Sequence, residues 1–367
     1  MLEEDLLYVL ALQRAKGIGD INAKKLLAHC GSARELFKEK RRNIEKIFGL
    51  GKLSTQYLFD PANLKEAEEE LKYIQDNTIE TLYFTDNTYP ERLKHCIDGP
   101  ILLFKEGNID LNLGPIISIV GTRQITSYGR DFCEKLIADL TVYNPIIVSG
   151  FAYGVDICAH KAAVKNNLQT IGVLAHGFEE IYPKIHKKYI ADMHKNGGFL
   201  TEFWHNDQPL RENFLKRNRI VAGMSEATII IESAEKGGSL VTADIANSYS
   251  RDVFAVPGRS TDLYSKGCND LIKNNKAAIL TSAKDLIEML NWESSGNVKK
   301  SIQKQLFVEL TENEQLLYDF LTQNGKELID LISLNCKLPI HQTTFLLFNL
   351  EMKGMVKPLP GKLYEAI

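Results

Sequence analysis

Six short runs of aliphatic and β-branched residues, set apart by helix-length connections, constrain this chain more than any other feature of it. They fall at residues 116–120, 146–149, 170–174, 199–201, 227–231 and 252–256. Between them, residues 130–143, 155–165 and 241–250 carry apolar side chains at helical spacing. Such connections are too long for hairpins, so neighbouring strands must run parallel. Strands apolar on both sides must also be covered on both sides. The pattern from residue 110 to about 290 therefore predicts an α/β fold with a Rossmann-like, doubly wound, mainly parallel sheet. Residues 76–109 add an edge hairpin or an extra strand, which takes this core to 76–290.

The flanks differ. Residues 1–75 form short helices, and Gly17-Ile18-Gly19 sits between two of them. A glycine–apolar–glycine turn is the pattern of a helix–hairpin–helix, whose turn amides hold a phosphate as a helix N-terminus does. A plain helical bundle with a glycine turn fits as well, because Asp20 follows the turn and would repel a phosphate. Residues 64–77 make a solvated, charged helix leading out of this module. Residues 291–309 lose both periodicity and apolar content and read as a linker. Beyond it, 312–323, 327–335 and 341–353 are helical, and 356–364 is a hairpin turning at Pro360-Gly361. Three helices and a β wing make residues 310–367 a winged-helix module. Its third helix, HQTTFLLFNLEMK, carries little charge, so protein contact fits it as well as duplex DNA.

The 367 residues are 44% hydrophobic and 25% charged, enough for more than one cored domain, and their formal net charge is −3. A chain so near neutral is no general polyanion coat, and any nucleic-acid binding must come from a local patch. No apolar run approaches a membrane span, and the opening MLEEDLLYVL is acidic where a signal peptide would be basic. Cys30, Cys96, Cys133, Cys158, Cys268 and Cys336 are scattered, with no C-x-x-C pair. That predicts reduced, mostly buried thiols in a cytoplasm, with neither disulfides nor a metal site.

Three turns at strand ends carry the chemistry. After residues 116–120 come Gly121, Thr122 and Arg123, a tight turn, a hydroxyl and a guanidinium that can fork onto a phosphate. The next glycine is Gly129, so the G-x-G-x-x-G dinucleotide fingerprint is missing. After 146–149, Ser149 and Gly150 open a second turn. Asp156 and His160 lie just beyond, and with no nucleophile or second metal ligand near them they read as a helix cap and a packed side chain. The third turn is Lys236, Gly237, Gly238 and Ser239, with Ser239 as N-cap of the helix that follows. Arg211, Arg217, Asn218 and Arg219 bring polar and cationic groups to the same sheet edge, with one arginine free to hold the fold by pairing with Asp244 or Glu232. Phe214 offers a face on which a base can stack, worth ~1–3 kcal/mol. Residues 184–188 form a second basic run, a solvated face that extends such a groove. Several phosphate positions suit a strand better than a single nucleotide.

In order along the chain stand Gly121-Thr122-Arg123, SGFAYGVDICAH from Ser149, Tyr182-Pro183, NFLKRNRIVAG from Asn213, GGSLVTA from Gly237, VFAVPG from Val253 and GCNDLI from Gly267. Together they resemble the DprA/Smf family of DNA-processing proteins, over the whole core. The resemblance implies a homodimer that binds single-stranded DNA, protects incoming DNA in natural transformation and loads a RecA-type recombinase. It places strand binding on Arg123, on Gly150 and on Phe214 with its basic neighbours, Arg211 standing where the family has lysine. Ala175-His176-Gly177, where the family has a glycine-x-glycine turn, and Phe151 and Tyr153 in the second turn depart from the pattern. The core also resembles nucleotide phosphoribohydrolases, but the loop at 236–244 lacks their proline and the catalytic glutamate beyond it. A nucleotide-sensing or NAD-linked module is the other alternative, and the missing fingerprint counts against it. The expectation is therefore a binding protein with no catalytic residues and no cofactor.

Overall fold

The computed structural model describes residues 3–47, 52–292, 310–359 and 362–366. The chain divides into two compact units, residues 1–294 and 295–367. The first begins with helices α1 (Glu3–Arg14), α2 (Asp20–Cys30), α3 (Ala33–Lys38), α4 (Arg41–Ile44), α5 (Lys52–Leu58) and α6 (Pro61–Asp76). Strand β1 (Glu80–Tyr83), helix α7 (Glu91–Lys94) and strand β2 (Leu102–Gly107) follow. Strand and helix then alternate through β3 (Ile116–Val120), α8 (Ser127–Asp139), β4 (Ile146–Ser149), α9 (Val155–Lys165), β5 (Thr170–Val173) and α10 (Lys187–Lys195). The alternation continues with β6 (Gly197–Thr201), α11 (Arg211–Met224), β7 (Ala227–Ile230), α12 (Gly238–Ser248) and β8 (Asp252–Ala255). Helix α13 (Lys266–Lys273), strand β9 (Ala278–Ile279) and helix α14 (Ala283–Met289) complete the unit.

These strands form one sheet in the order β1-β2-β6-β5-β4-β3-β7-β8-β9. Every pair from β6 across to β9 is parallel, and β1 and β2 join antiparallel at one edge. Side chains alternate between the two faces, as strand geometry requires. Ile117, Ile119, Ile229 and Phe254 pack with α8, α9 and α14, whereas Val120, Val148, Ile230 and Ala255 pack with α11, α12 and α13. The chain lays down β3 to β6 in one direction, then returns through α11 to place β7 on the other side of β3. Loops leaving β3 and β7 therefore diverge and open a crevice between them, the switch point of a doubly wound sheet.

Leu10, Leu12, Leu26 and Leu36 of the first helices share a core with Ile101, Leu102 and Phe104 beside the antiparallel edge, and with Trp204. The first unit thus runs without a break through residue 75, where a boundary between a helical module and the core was expected. The second unit contains α15 (Glu312–Asn324), β10 (Glu327–Leu328), α16 (Ile329–Asn335), α17 (Ile340–Met352), β11 (Val356–Leu359) and β12 (Leu363–Ala366). Its strands form an antiparallel sheet, β10-β12-β11, and Leu317, Leu321, Ile332, Leu347 and Leu350 fill its core. The expected linker from residue 293 on, and the Pro360-Gly361 turn, lie outside the described residues.

Asp20, expected to repel a phosphate at the glycine turn, is engaged elsewhere. Its carboxylate accepts the Ile101 amide at 2.9 Å and meets Arg219 of α11 at 3.1 Å. Glu202, directly after β6, pairs with the same guanidinium, which also donates to the Asp98 carbonyl. This clasp joins α2, the approach to β2, the end of β6 and α11. Arg219 is therefore not a free phosphate ligand, and its partners are Asp20 and Glu202 in place of the expected Asp244 or Glu232. Breaking a buried ion pair from one side strands the other charge, at about 3–5 kcal/mol. Arg219→Met should lower unfolding stability by about that amount in urea titration; a loss below about 1 kcal/mol would mean the clasp is ornamental.

Burial pushes the Glu202 carboxyl up from an ordinary 4.5 to about 7, against the pull of Arg219. Between those values the folded protein holds a proton that the unfolded chain has released, so stability falls as pH rises through that window. Glu202→Gln removes the group and should flatten the dependence, measured by urea unfolding at about pH 5 and about pH 7.5. An equally steep dependence in the variant would assign the titration to another group.

Candidate functional site

The crevice at the switch point encloses about 410 Å³. Its walls come from the loops after β3, β4 and β7 and from the N-terminal half of α11. Gly121, Thr122, Arg123, Gly150, Arg211, Phe214, Arg217, Asn218, Lys236, Gly237, Gly238 and Ser239 all line it. Two expected site residues do not. Ser149 is fully buried and its hydroxyl donates to the Ile119 carbonyl at 2.6 Å, and Arg219 sits in the clasp on another side of α11. Helical period separates them: Arg211, Phe214, Leu215 and Asn218 share the face toward the crevice, whereas Arg219 turns away.

Arg217 lines the crevice as its floor and not as a free ligand. It is 5% exposed, and its Nη1 donates to the carbonyls of Gly150 and Val173, each at 2.6 Å, at the ends of β4 and β5. Burial pushes this guanidinium down, Asp156 holds it up and Arg123 adds a further downward push. Asp156 is buried too; desolvation raises its carboxyl, while Arg217 and the amide of Ala152 lower it. A buried acid with a shifted pKa in a cleft is a candidate catalytic group; here its carboxylate accepts the Ala152 amide at 3.3 Å and lies in the field of Arg217. Gly150 has no room for a side chain, since a Cβ there would stand 2.1 Å from Arg217 Nη1. Its glycine is required by the arginine behind it. Asp244 pairs with Lys276, and Glu232 accepts the amide of Thr126 at 2.8 Å, so neither serves an arginine of α11.

The third turn differs in detail from the expected one. Gly237, not Ser239, is the N-cap of α12, and no side chain caps that helix. Ser239 lies one turn position in and donates to Ser233 Oγ at 3.0 Å. A Cβ at Gly238 would meet nothing nearer than Asn218 Nδ2 at 4.0 Å, which leaves the first amides of α12 open to the crevice. His160 is packed as expected, against Thr170 Oγ1 at 2.7 Å, and burial takes its pKa down to about 3.

Three cations stand at the rim: Arg123, Arg211 and Lys236 are exposed, and among the described residues none pairs with a carboxylate. The Arg123 guanidinium lies over the Phe214 ring, 5.4 Å from its centroid. Phe214 is half-buried, and Tyr182 meets it edge-to-face at 5.7 Å. The sequence marks Tyr182 only as part of a Tyr-Pro pair, and Ser233 and Thr242 join the crevice lining. Ser233 lies in the loop after β7, and Thr242 lies one turn into α12.

A family model described as DNA recombination-mediator protein A matches residues 80–291. The DNA processing protein DprA of Streptococcus pneumoniae is 40% identical over 205 residues, 55% of this chain and 71% of that protein. The X-ray structure of DprA from Streptococcus pneumoniae superposes with a TM-score of 0.65 at 30% identity, covering 77% of this chain and 97% of that one. A structure of DNA processing protein A from Helicobacter pylori, concerned with its single-stranded DNA binding mode, superposes at 0.53 with 30% identity, covering 58% and 95% of the two chains.

An exposed cation that neutralises a strand phosphate releases counterions, changing the slope of log affinity against log salt by roughly 0.7 per contact. Arg123→Ala should flatten that slope for a single-stranded oligomer by about 0.7, and Arg123→Ala with Arg211→Ala by about twice as much. Arg219→Met should leave it unchanged wherever the variant is folded. An unaltered slope in the folded double variant would remove both arginines from the phosphate path.

Proposed function

Because this chain belongs to the DprA family of DNA recombination-mediator proteins, we propose that its switch-point crevice holds the backbone and a base of single-stranded DNA. The observation that carries the reading is Arg123 resting on the half-exposed ring of Phe214 among unpaired cations and open helix amides. An exposed cation–π contact is worth ~0.5–1 kcal/mol, and a stacked base ~1–3 kcal/mol. A base therefore displaces the guanidinium from the ring, and the freed Arg123 turns to a phosphate. Backbone and base faces are read in this way, with little dependence on sequence. A duplex hides its base faces, so single strands win.

The full reading is of a cytoplasmic, non-enzymatic homodimer that protects incoming single strands in natural transformation and hands them to a RecA-type recombinase. The likeness to a protein named for DNA processing, in a family described as recombination mediators, supports it. Among the described residues no helix is long and apolar enough to cross a membrane. We read residues 310–367 as a winged-helix module that contacts protein: α17 exposes Phe345, Phe348 and Met352, and His341 is its one basic side chain. The glycine turn at 17–19 joins α1 to α2, with Asp20 turned to Arg219.

Binding of a labelled single-stranded oligomer against the matching duplex tests the reading, with strong preference for the single strand expected and equal affinity overturning it. Phe214→Ala should weaken the single strand by ~1–3 kcal/mol at every salt concentration, because stacking carries no counterion term. An unchanged affinity with a lowered melting temperature would make the ring a structural one.

A further inference from the structure

We propose that Tyr153 is a second stacking station for the strand, and that Lys161, Lys184 and Lys188 hold the phosphates beside it. Single-stranded DNA then leaves the crevice along the start of α10. This inference rests on the single-strand reading above and extends it to a surface outside the crevice.

Ala152 lines the crevice and Tyr153 is the next residue, 44% exposed. Its position is fixed from below. Phe151 adopts a left-handed backbone, φ +58°, that a bulky residue rarely takes. The buried Phe151 ring packs edge-to-face on Phe199 at 5.0 Å, and its carbonyl accepts from His186 Nδ1 at 3.0 Å. The His186 ring in turn meets Tyr153 edge-to-face at 5.2 Å. An aromatic held in place while nearly half of it faces water is a preformed platform, and holding it rigid removes ordering cost on binding.

Cations gather beside that platform. Lys161, Lys184, Lys187 and Lys188 are all exposed, and among the described residues none pairs with a carboxylate. On the same helix Lys195 does pair, with Asp192 at 2.7 Å. Lys161 and Lys188 both lie over the Tyr189 ring, at 5.7 and 5.1 Å, so lysines from two helices converge on one spot. In a chain of net charge −3, such a local surplus of like charge points to a polyanion. The path from the crevice is short. Tyr182, which touches Phe214, opens the segment that carries Lys184 and His186, so both stations share a wall.

The test compares affinities of the full chain for oligothymidines of about five and about twenty nucleotides. Tyr153→Ala should weaken the longer one about tenfold and the shorter one less than about twofold, and Tyr153→Phe should restore the longer one. Changing Lys161, Lys184 and Lys188 together to Gln should lower the salt slope by about 2 for the longer oligomer alone. Phe214→Ala should weaken both. If the Tyr153 and lysine variants bind the longer oligomer like the parent while Phe214→Ala still fails, the second station is wrong and the crevice stands. Equal losses on both lengths, or a Tyr153→Ala variant that melts early, would also overturn it. A parent protein that binds neither oligomer would remove the single-strand reading and this one together.

Discussion

One buried guanidinium sets the floor on which the candidate site stands. Arg217 donates to the carbonyls of Gly150, just past β4, and of Val173, the last residue of β5, and the field of buried Asp156 holds its charge up. A sheet ends with carbonyls that the next strand cannot satisfy, and inside a protein each unmet carbonyl is costly. Arg217 meets two of them at once, brings the counter-charge of Asp156 into the same pocket, and forbids any side chain at Gly150. The turn amides, the position of Ala152 and the platform at Tyr153 all descend from that arrangement.

The arginines of this region are sorted by their partners and not by their type. Arg217 is buried and Arg219 largely so, and each is surrounded by acceptors that offset its desolvation. Arg123 and Arg211 are exposed and without carboxylates among the described residues, which leaves their hydrogen bonds for a ligand. An overall charge near neutral therefore conceals a polarised surface. Asp20, Glu202 and Asp156 are drawn into the clasp and the floor, and Arg123, Arg211 and Lys236 face the crevice.

Much of the fold was legible in the sequence because strand and helix periods are local. Residues 116–120, 146–149 and 155–165 form elements with the bounds read from the sequence, and the crevice gathers most of the residues read from the three turns. Element starts slipped where a cap lay upstream: Thr126 accepts from Gly129 and begins α8 three residues early, and Gly237 begins α12 ahead of Ser239. β9, two residues long, carries no period at all. The division of labour among Arg211, Arg217 and Arg219 was not legible. It depends on Asp20 and Glu202, one brought from the far end of the chain and the other from the end of a strand, and spacing within a helix says only which residues share a face. For the same reason Asp244 and Glu232, which spacing offers to these arginines, engage Lys276 and the Thr126 amide instead.

Helix α11 carries the clasp on one side and the crevice on the other, so its rotation about its own axis is fixed at two places. Each residue turns an α-helix by about 100° and advances it by about 1.5 Å. Adding or deleting a single residue between Phe214 and Arg219 would keep the composition and the helix, yet swing one set of side chains by more than a quarter-turn against the other. Either the clasp would lose its arginine to solvent or the aromatic ring would leave the crevice. The segment thus behaves as a reading frame in three dimensions: its substitutions can be judged one by one, but its length admits no change.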